Sequence, residues 1–145
     1  MEVYVTDQEI QELFSRQLKY WNTRDARALA ACHAEDGLVV SPIFRTVSGR
    51  EAILQSYLSL FELFPDWTYQ SEDLLIHGNR AAEPYTAQAT HVGEFMGLPG
   101  TGKKVHIQGV RLFELRDNLI TKERRYYDFT GLLIQLGVLK GKPAL

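Results

Sequence analysis

The chain has 145 residues, of which 45% are hydrophobic and 23% charged, and its net charge is -2. This length and composition are typical of one folded domain, here residues 1–145, and they exclude a disordered protein. The small net charge gives no general attraction to nucleic acid or to a membrane surface, and no apolar run is long enough to span a membrane. The first residues lack the basic and apolar regions of a signal peptide, so we expect a cytoplasmic protein.

The chain has a single cysteine, Cys32, which excludes an internal disulfide and a cysteine metal cluster. Leu29, Ala30 and Ala31 precede it, so we expect a small buried side chain there. The four histidines show no i, i+4 pairing and no consistent carboxylate partner. We therefore expect neither a metal site nor another cofactor.

Patterns in the first half of the chain predict three helices. Thr6–Glu9 forms a capping box for the first helix, and Asp25 can cap a short second one. Ser48–Glu51 forms another capping box, and Pro65 closes the helix that follows. The first and third helices each carry one apolar stripe at helical spacing: Ile10, Leu13, Phe14, Leu18 and Trp21, then Ile53, Leu54, Tyr57, Leu58 and Phe61.

The second half of the chain predicts strands joined by turns. Predicted strands lie at 38–40, 67–70, 74–76, 81–95, 105–115 and 119–127, and a last helix lies at 131–137. Turns are predicted at His77–Arg80 and Asp117–Asn118, with a Gly/Pro loop at 96–102. Helices first and hairpin-linked strands later favour an α+β fold, with helices over one face of a curved antiparallel sheet. The mouth of such a cone is a natural pocket.

Two segments carry a family resemblance. Residues 91–99 are similar to the motif H-x-G-x-F-x-G-x-P, and residues 128–137 to D-x-x-G-L-L-x-Q-L-G; Phe64-Pro65-Asp66 is a third, weaker match. The chain thereby resembles the SnoaL-like polyketide cyclases of the nuclear-transport-factor-2-like superfamily along nearly its whole length. The resemblance implies a cone-shaped fold in which the N-terminal helices and the curved antiparallel sheet enclose a pocket for a small apolar molecule.

The resemblance also implies a homodimer through the convex face of the sheet. Gln108, Val110 and Leu112 on that face are too mixed for a core and too apolar for free solvent.

The chain departs from the family at the residues expected to perform catalysis. The family's acid–base aspartate lies three residues before Asp128, where this chain has Arg125. The family's pocket histidine falls at Arg111, and its pocket asparagine at Val39. A guanidinium stays protonated near neutral pH and cannot exchange a proton there. We therefore expect the usual aldol-cyclase groups, and the water-activating groups of the related epoxide hydrolases, to be absent.

Arg111 and Arg125 are candidate catalytic residues. Facing the pocket, they could hold an enolate, phenolate or carboxylate oxygen by charge-assisted hydrogen bonds. The alternative is that both face solvent. A tight two-residue turn at Asp117–Asn118 would pair Arg111 with Arg124, and a slip of one residue moves a side chain to the other face.

His91 and Glu123 are candidates for proton transfer. His91 has a suitable unperturbed pKa of about 6.5 and shares a strand face with Tyr85, or it is a structural histidine bonded to backbone. Glu123 alternates with Arg125 as a displaced base, or it is a surface carboxylate. Asp128 is expected to cap the last helix. The aromatic residues expected to line the ligand site are Trp21, Tyr57, Phe61, Tyr85 and Tyr127.

Residues 97–103 match the G-x-x-x-x-G-K pattern of phosphate-binding loops. Lys104 occupies the place of the Mg²⁺-binding Ser or Thr, and a strand is predicted next where the pattern needs a helix. The sequence therefore predicts no nucleotide binding.

Three functions remain open. The first is a cofactor-independent enzyme acting on a polyketide-like or terpenoid-like substrate with a polar or anionic oxygen, by enolisation, cyclisation, isomerisation or hydrolysis. The second is a non-catalytic protein that binds or carries an apolar ligand. The third is a structural dimerisation domain.

Overall fold

The computed structural model describes residues 5–140, and its helices and strands form a mixed α+β fold. The helices are α1 (Asp7–Thr23), α2 (Ala26–Ala31), α3 (Arg50–Leu63) and α4 (Phe129–Gln135). The strands are β1 (His33–Ser41), β2 (Arg45–Ser48), β3 (Thr68–Ser71), β4 (Leu75–His77), β5 (Arg80–Thr90), β6 (Lys104–Arg116) and β7 (Leu119–Tyr127). No helix among the described residues is long and apolar enough to cross a membrane.

The strands form one curved sheet in the order β2-β1-β7-β6-β5-β3, and β4 also pairs with β5. β1 and β7 run parallel, while the other paired strands are antiparallel. The main core lies between the helices and the inner face of the sheet, where Trp21, Tyr57, Tyr69 and Tyr85 pack together. The expected α+β cone is therefore confirmed.

Two of the predicted helix caps are confirmed and one is wrong. The Thr6 hydroxyl accepts from the Glu9 N–H, and the Asp25 carboxylate from the Ala28 N–H, both at 3.1 Å. Ser48 does not cap α3, because it is the last residue of β2 and pairs with the β1 strand. The chain instead turns at Gly49, whose positive φ of 91° suits glycine.

Two residues predicted for the apolar stripes lie at the surface. Leu18 is 37% exposed and Leu58 39% exposed. In α1 the polar Gln17 takes the buried position, because its amide oxygen accepts a hydrogen bond from a buried arginine, described below. In α3 the buried side chains include those of Ile53 and Tyr57, which are one helical turn apart, and Leu58 lies on the exposed face.

β5 ends at Thr90, five residues before the predicted end. The Asp66 carboxylate accepts from the Thr90 N–H and hydroxyl, both at 2.6 Å, and fixes that end of the strand. The N–H groups of Val92 and Gly93 then donate to the Leu63 carbonyl, which draws the chain toward the end of α3. Gly93 is required there because a Cβ would lie 2.7 Å from the Glu62 carbonyl oxygen.

A β-bulge decides which arginine faces the interior. Asp117 and Asn118 both have positive φ and form a tight two-residue turn, so the strands start in the register that would pair Arg111 with Arg124. The register shifts after Leu115 because Thr121 is an extra residue in β7. Arg111 therefore lies opposite Arg125, as the family resemblance implies.

Candidate functional site

A line of charged residues crosses the inner face of three neighbouring strands. Glu83 on β5 lies opposite Arg111 on β6, which lies opposite Arg125 on β7. Glu123 is two residues before Arg125 and faces the same way. All four side chains are at least nine-tenths buried, so an ionic cluster is embedded in the otherwise apolar core of this fold.

Arg111 is held by hydrogen bonds through its Nε and Nη2, while its buried Nη1 has no hydrogen-bond partner within residues 5–140. Its Nη2 donates to the Glu83 carboxylate at 2.7 Å and to the Gln17 amide oxygen at 3.0 Å. Its Nε donates to the Tyr69 hydroxyl at 2.9 Å, and that hydroxyl donates to Glu83. The guanidinium also lies over the rings of Trp21 and Phe113, at 5.4 and 4.7 Å from their centroids. These contacts fix the guanidinium in one orientation.

Arg125 is held along one edge and open along the other. Its Nε donates to Glu123 at 2.5 Å, and its Nη2 donates to the Tyr57 hydroxyl at 3.2 Å. Within residues 5–140 its Nη1 has no hydrogen-bond partner, and Arg125 lines the cavity described below. A charged donor is therefore presented to whatever enters that cavity.

Glu123 is a buried carboxylate, so the surface alternative is wrong. The side chain is fully buried, and its Oε2 lies 2.5 Å from Arg125 Nε and 3.5 Å from Arg111 Nη1. Burial alone would raise the pKa of Glu123, but the charges of Arg125 and Arg111 outweigh it and lower the pKa to about 2. Glu123 is therefore ionised at neutral pH and only weakly basic.

His33 belongs to the same cluster, although it was not among the candidate site residues predicted from the sequence. It is the first residue of β1 and fully buried, with its Nε2 3.0 Å from the Tyr57 hydroxyl and 3.8 Å from the Glu123 carboxylate. Burial lowers the pKa of His33 to about 4 against the opposing charge of Glu123, so the ring is neutral at neutral pH. The sequence showed no consistent carboxylate partner for the histidines, and the structure brings one such partner, Glu123, to His33.

A narrow cavity lies beside the two arginines. Aromatic and aliphatic side chains form most of its wall, and Arg111 and Arg125 are its only charged residues within the described chain. The side chains leave about 30 Å³ of open space, which is room for about two water molecules. Ile43 and Phe44, in the turn between β1 and β2, are half-buried parts of this wall.

The aromatic residues predicted for the ligand site are divided between the wall and the layer behind it. Trp21, Tyr85 and Tyr127 line the cavity. Tyr57 is outside the lining and joins His33 to Arg125 by its hydroxyl. Phe61 packs edge-on against Trp21, with ring centroids 6.1 Å apart, and is also outside the lining.

His91 lies apart from the arginines, just beyond the end of β5. Its Nδ1 is 2.9 Å from the Thr101 hydroxyl and 3.3 Å from the Thr101 backbone nitrogen. The ring is fully buried between Phe64 and Phe95, and His91 does not line the cavity. These contacts tie the loop after β5 to the core.

The remaining sequence predictions concern the cap of α4, the cysteine, the loop at residues 97–103 and metal ligands. Asp128 caps α4 by accepting from the Gly131 N–H at 2.8 Å, as expected, and Cys32 is buried, as expected. The strand β6 follows residues 97–103 directly, where a phosphate-binding loop would need a helix. Among residues 5–140, no three His, Cys, Asp or Glu side chains gather as metal ligands.

Sequence analysis missed Gln17, Tyr69 and Glu83, which complete the surroundings of Arg111. Glu83 had a usable signal, because it alternates with Tyr85, Ala87 and Ala89 on the inward face of β5. Gln17 had none, since a polar residue on a helix is ordinarily exposed.

The chain was compared with known families and structures. It matches the family model described as SnoaL-like polyketide cyclase over residues 11–136. AclR of Streptomyces galilaeus, a candidate hydroxylase, is 25% identical with a TM-score of 0.82, over 95% of this chain and 87% of that one. IdmH of Streptomyces antibioticus, a candidate polyketide cyclase, is 25% identical with a TM-score of 0.74, over 88% and 98%.

A third similar structure is TsrD of Streptomyces laurentii, which is 24% identical with a TM-score of 0.81, over 93% of this chain and 99% of that one. No curated protein matches the chain. Because the family model spans most of the sequence and the same fold recurs in these structures, the chain belongs to the SnoaL-like polyketide cyclase family.

Proposed function

We propose that this chain is a cofactor-independent enzyme of small-molecule metabolism that acts on a largely apolar, polyketide-like or terpenoid-like substrate. The observation that supports it best is that Arg125, whose Nη1 has no hydrogen-bond partner within residues 5–140, lines a cavity walled largely by aromatic rings. Such a donor binds a substrate oxygen and stabilises the charge that develops on it.

The chemistry this arrangement favours is the formation of an enolate or a related oxyanion. In this proposal Arg125 contacts the substrate oxygen. Arg111 lines the same cavity, and its own hydrogen bonds keep it in a fixed position. Enolisation, cyclisation, isomerisation and hydrolysis all pass through such an oxyanion, and the choice among them depends on the substrate. By the family resemblance Arg125 stands at the position of the family's acid–base aspartate, so in this proposal electrostatic stabilisation takes the place of acid–base catalysis by that residue.

Proton transfer by His91 or Glu123 has little geometric support. Neither residue lines the cavity. Glu123, with a pKa of about 2, is a weak base at neutral pH. We therefore assign the catalytic contribution to Arg125 and Arg111, with the proton passing to water that enters with the substrate.

Substrate entry requires side chains to move. The open space of about 30 Å³ is smaller than any polyketide-like molecule. Ile43 and Phe44 are the wall residues best able to move, since both are half-buried and lie in a turn rather than in a strand. We propose that they swing outward when a ligand binds.

A second candidate is a non-catalytic protein that binds or carries the same kind of ligand. One observation favours it: the described cavity wall contains no carboxylate, histidine or cysteine to accept a proton. Incubation with candidate substrates, followed by mass spectrometry, separates the two functions, because an enzyme converts a bound compound and a carrier returns it unchanged.

The first prediction concerns the free donor. Arg125→Met keeps an unbranched apolar stem but removes the guanidinium charge and the Nη1 donor. We expect it to weaken the binding of aromatic ketones and phenols by about 1.5–3 kcal/mol, the usual contribution of a hydrogen bond to a charged group. Titration followed by NMR of the indole N–H groups of Trp21 and Trp67 measures it, since both rings line the cavity.

Arg27→Met is the matched control, because Arg27 is exposed on α2 and far along the chain from the strands of the cluster. It should bind every ligand as the wild type does. Equal affinities of Arg125→Met and wild type for all the ligands would contradict the proposed role of Arg125.

We also propose that the chain forms a homodimer through the outer face of the sheet, around Val110 and Leu112. Leu112 is 39% exposed there, and a groove of about 410 Å³ adjoins it. We expect light scattering to give twice the 16.6 kDa mass of one chain, and Leu112→Glu to return it to one chain. Leu58→Glu, at an equally exposed leucine on α3, should leave the dimer intact. A single-chain mass for wild type at micromolar concentration would exclude the dimer.

A further inference from the structure

The charges around the cavity balance one another. Arg111 and Arg125 are positive, and the buried carboxylates of Glu83 and Glu123 lie against them at 2.7 and 2.5 Å. His33, the titratable ring beside Glu123, is neutral at neutral pH because burial lowers its pKa to about 4. Two positive and two negative charges therefore make a cluster with no net charge.

Only the positive half of this cluster touches the cavity. Arg111 and Arg125 line it, while Glu83 and Glu123 lie behind them. A ligand oxygen thus meets N–H donors whose charge is already compensated. A carboxylate would bring a full negative charge out of water to arginines that are already paired, which is costly. An enolate differs, because it forms there from a substrate that entered uncharged. A carbonyl or hydroxyl oxygen accepts the same hydrogen bond and adds no charge.

We propose that Glu123, supported by Glu83, sets the specificity of the site: the two carboxylates neutralise the arginines, so the pocket selects an apolar molecule with an uncharged oxygen over its carboxylate counterpart. The inference rests on the proposed function, since it concerns the same cavity. Glu123 is the main determinant because it bonds directly to Arg125, whose Nη1 is free. It acts through Arg125 and is a positioning residue rather than a catalytic one.

Acetophenone and benzoate test this selectivity, because they have nearly the same size and differ in charge. Trp21 and Trp67 are the only tryptophans of the chain and both line the cavity, so their indole N–H signals report its occupancy. We expect wild type at neutral pH to bind acetophenone at least about ten-fold more tightly than benzoate.

In Glu123→Gln the charge of Arg125 loses its main partner while the side chain keeps its shape. Benzoate should then bind at least about ten-fold more tightly than to wild type, and the affinity for acetophenone should change less than about three-fold. Glu83→Gln should act in the same direction through Arg111. Glu114→Gln removes a carboxylate from the exposed face of the same sheet, 43% exposed, and should leave the ratio of affinities unchanged.

The outcomes separate the two proposals. Equal affinities for the two probes in wild type, or a ratio that stays unchanged in Glu123→Gln and Glu83→Gln, would overturn this inference and leave the proposed function standing. If neither variant folds, the wild-type ratio alone decides. If neither probe moves the indole signals of wild type, the proposed binding function falls, and this inference with it.

Discussion

Replacing Arg111 by methionine is expected to lower the free energy of unfolding by about 3–5 kcal/mol, the usual cost of removing one member of a buried ion pair. Arg111 is 1% exposed and satisfies Glu83, Gln17 and the Tyr69 hydroxyl at once. Methionine fills much of the space but donates no hydrogen bond, so the buried Glu83 carboxylate loses its strongest partner. Urea unfolding at neutral pH, followed by circular dichroism, measures the loss.

Two further variants show whether the loss comes from the unpaired charge. Arg116→Met, on the same strand, removes an arginine whose exposed pair with Asp36 at 3.3 Å should contribute at most about 1 kcal/mol. In the double variant Arg111→Met with Glu83→Gln no charge is left unpaired there, and the Tyr69 hydroxyl keeps an acceptor. At least half of the lost stability should return. A double variant no more stable than Arg111→Met would show that the cost comes from packing.

The sequence predicted the order of the elements well because their signals are local. The caps at Thr6, Asp25 and Asp128 each depend on one side chain and a backbone N–H three residues away, and all three are present. The Ser48 cap failed because Ser48 is occupied by strand pairing with β1, which no local pattern shows.

The register of the two arginines could not be read from the turn alone. A two-residue turn at Asp117–Asn118 leads to the wrong partner, and the extra residue Thr121 corrects it. The Thr121 hydroxyl donates to the Glu114 carbonyl at 3.0 Å across the bulge, a contact that nothing in the sequence marks. The family resemblance implied that both arginines face the pocket, and that is the register the structure has.

The ionic cluster could not be predicted from the sequence, because its members are far apart along the chain. With the polar side chains bonded to it, the cluster draws on α1, α3 and five strands, and Gln17 and Arg111 are 94 positions apart in sequence. A charged residue in a strand is ordinarily exposed, so the alternation that places Glu83 and Glu123 on inward faces was outweighed by their charge when each was considered alone. Their burial makes sense only as a set, because each carboxylate offsets a guanidinium that the fold also buries.

The buried titratable groups of this ionic cluster predict a strong dependence of the free energy of unfolding on pH. The pKa of His33 is lowered from 6.5 to about 4, and that of Glu123 from 4.5 to about 2. In both cases the folded protein binds the proton less readily than the unfolded chain, so each contribution is complete above the unfolded pKa and is lost as the pH falls. Stability should therefore fall in two overlapping steps, from about pH 6.5 to 4 for His33 and from about pH 4.5 to 2 for Glu123, each about 3 kcal/mol.

Urea unfolding at a series of pH values between neutral and about pH 3 tests this, with variants that remove one step each. His33→Gln should be nearly flat between pH 6.5 and 4.5, because glutamine cannot take up a proton there. Glu123→Gln should keep the upper step and lose the lower one, whatever its stability at neutral pH. His106→Gln, at an exposed histidine of β6, should follow the wild-type curve throughout. An unchanged upper step in His33→Gln would show that other groups destabilise the fold in acid and that the buried His33 ring does not.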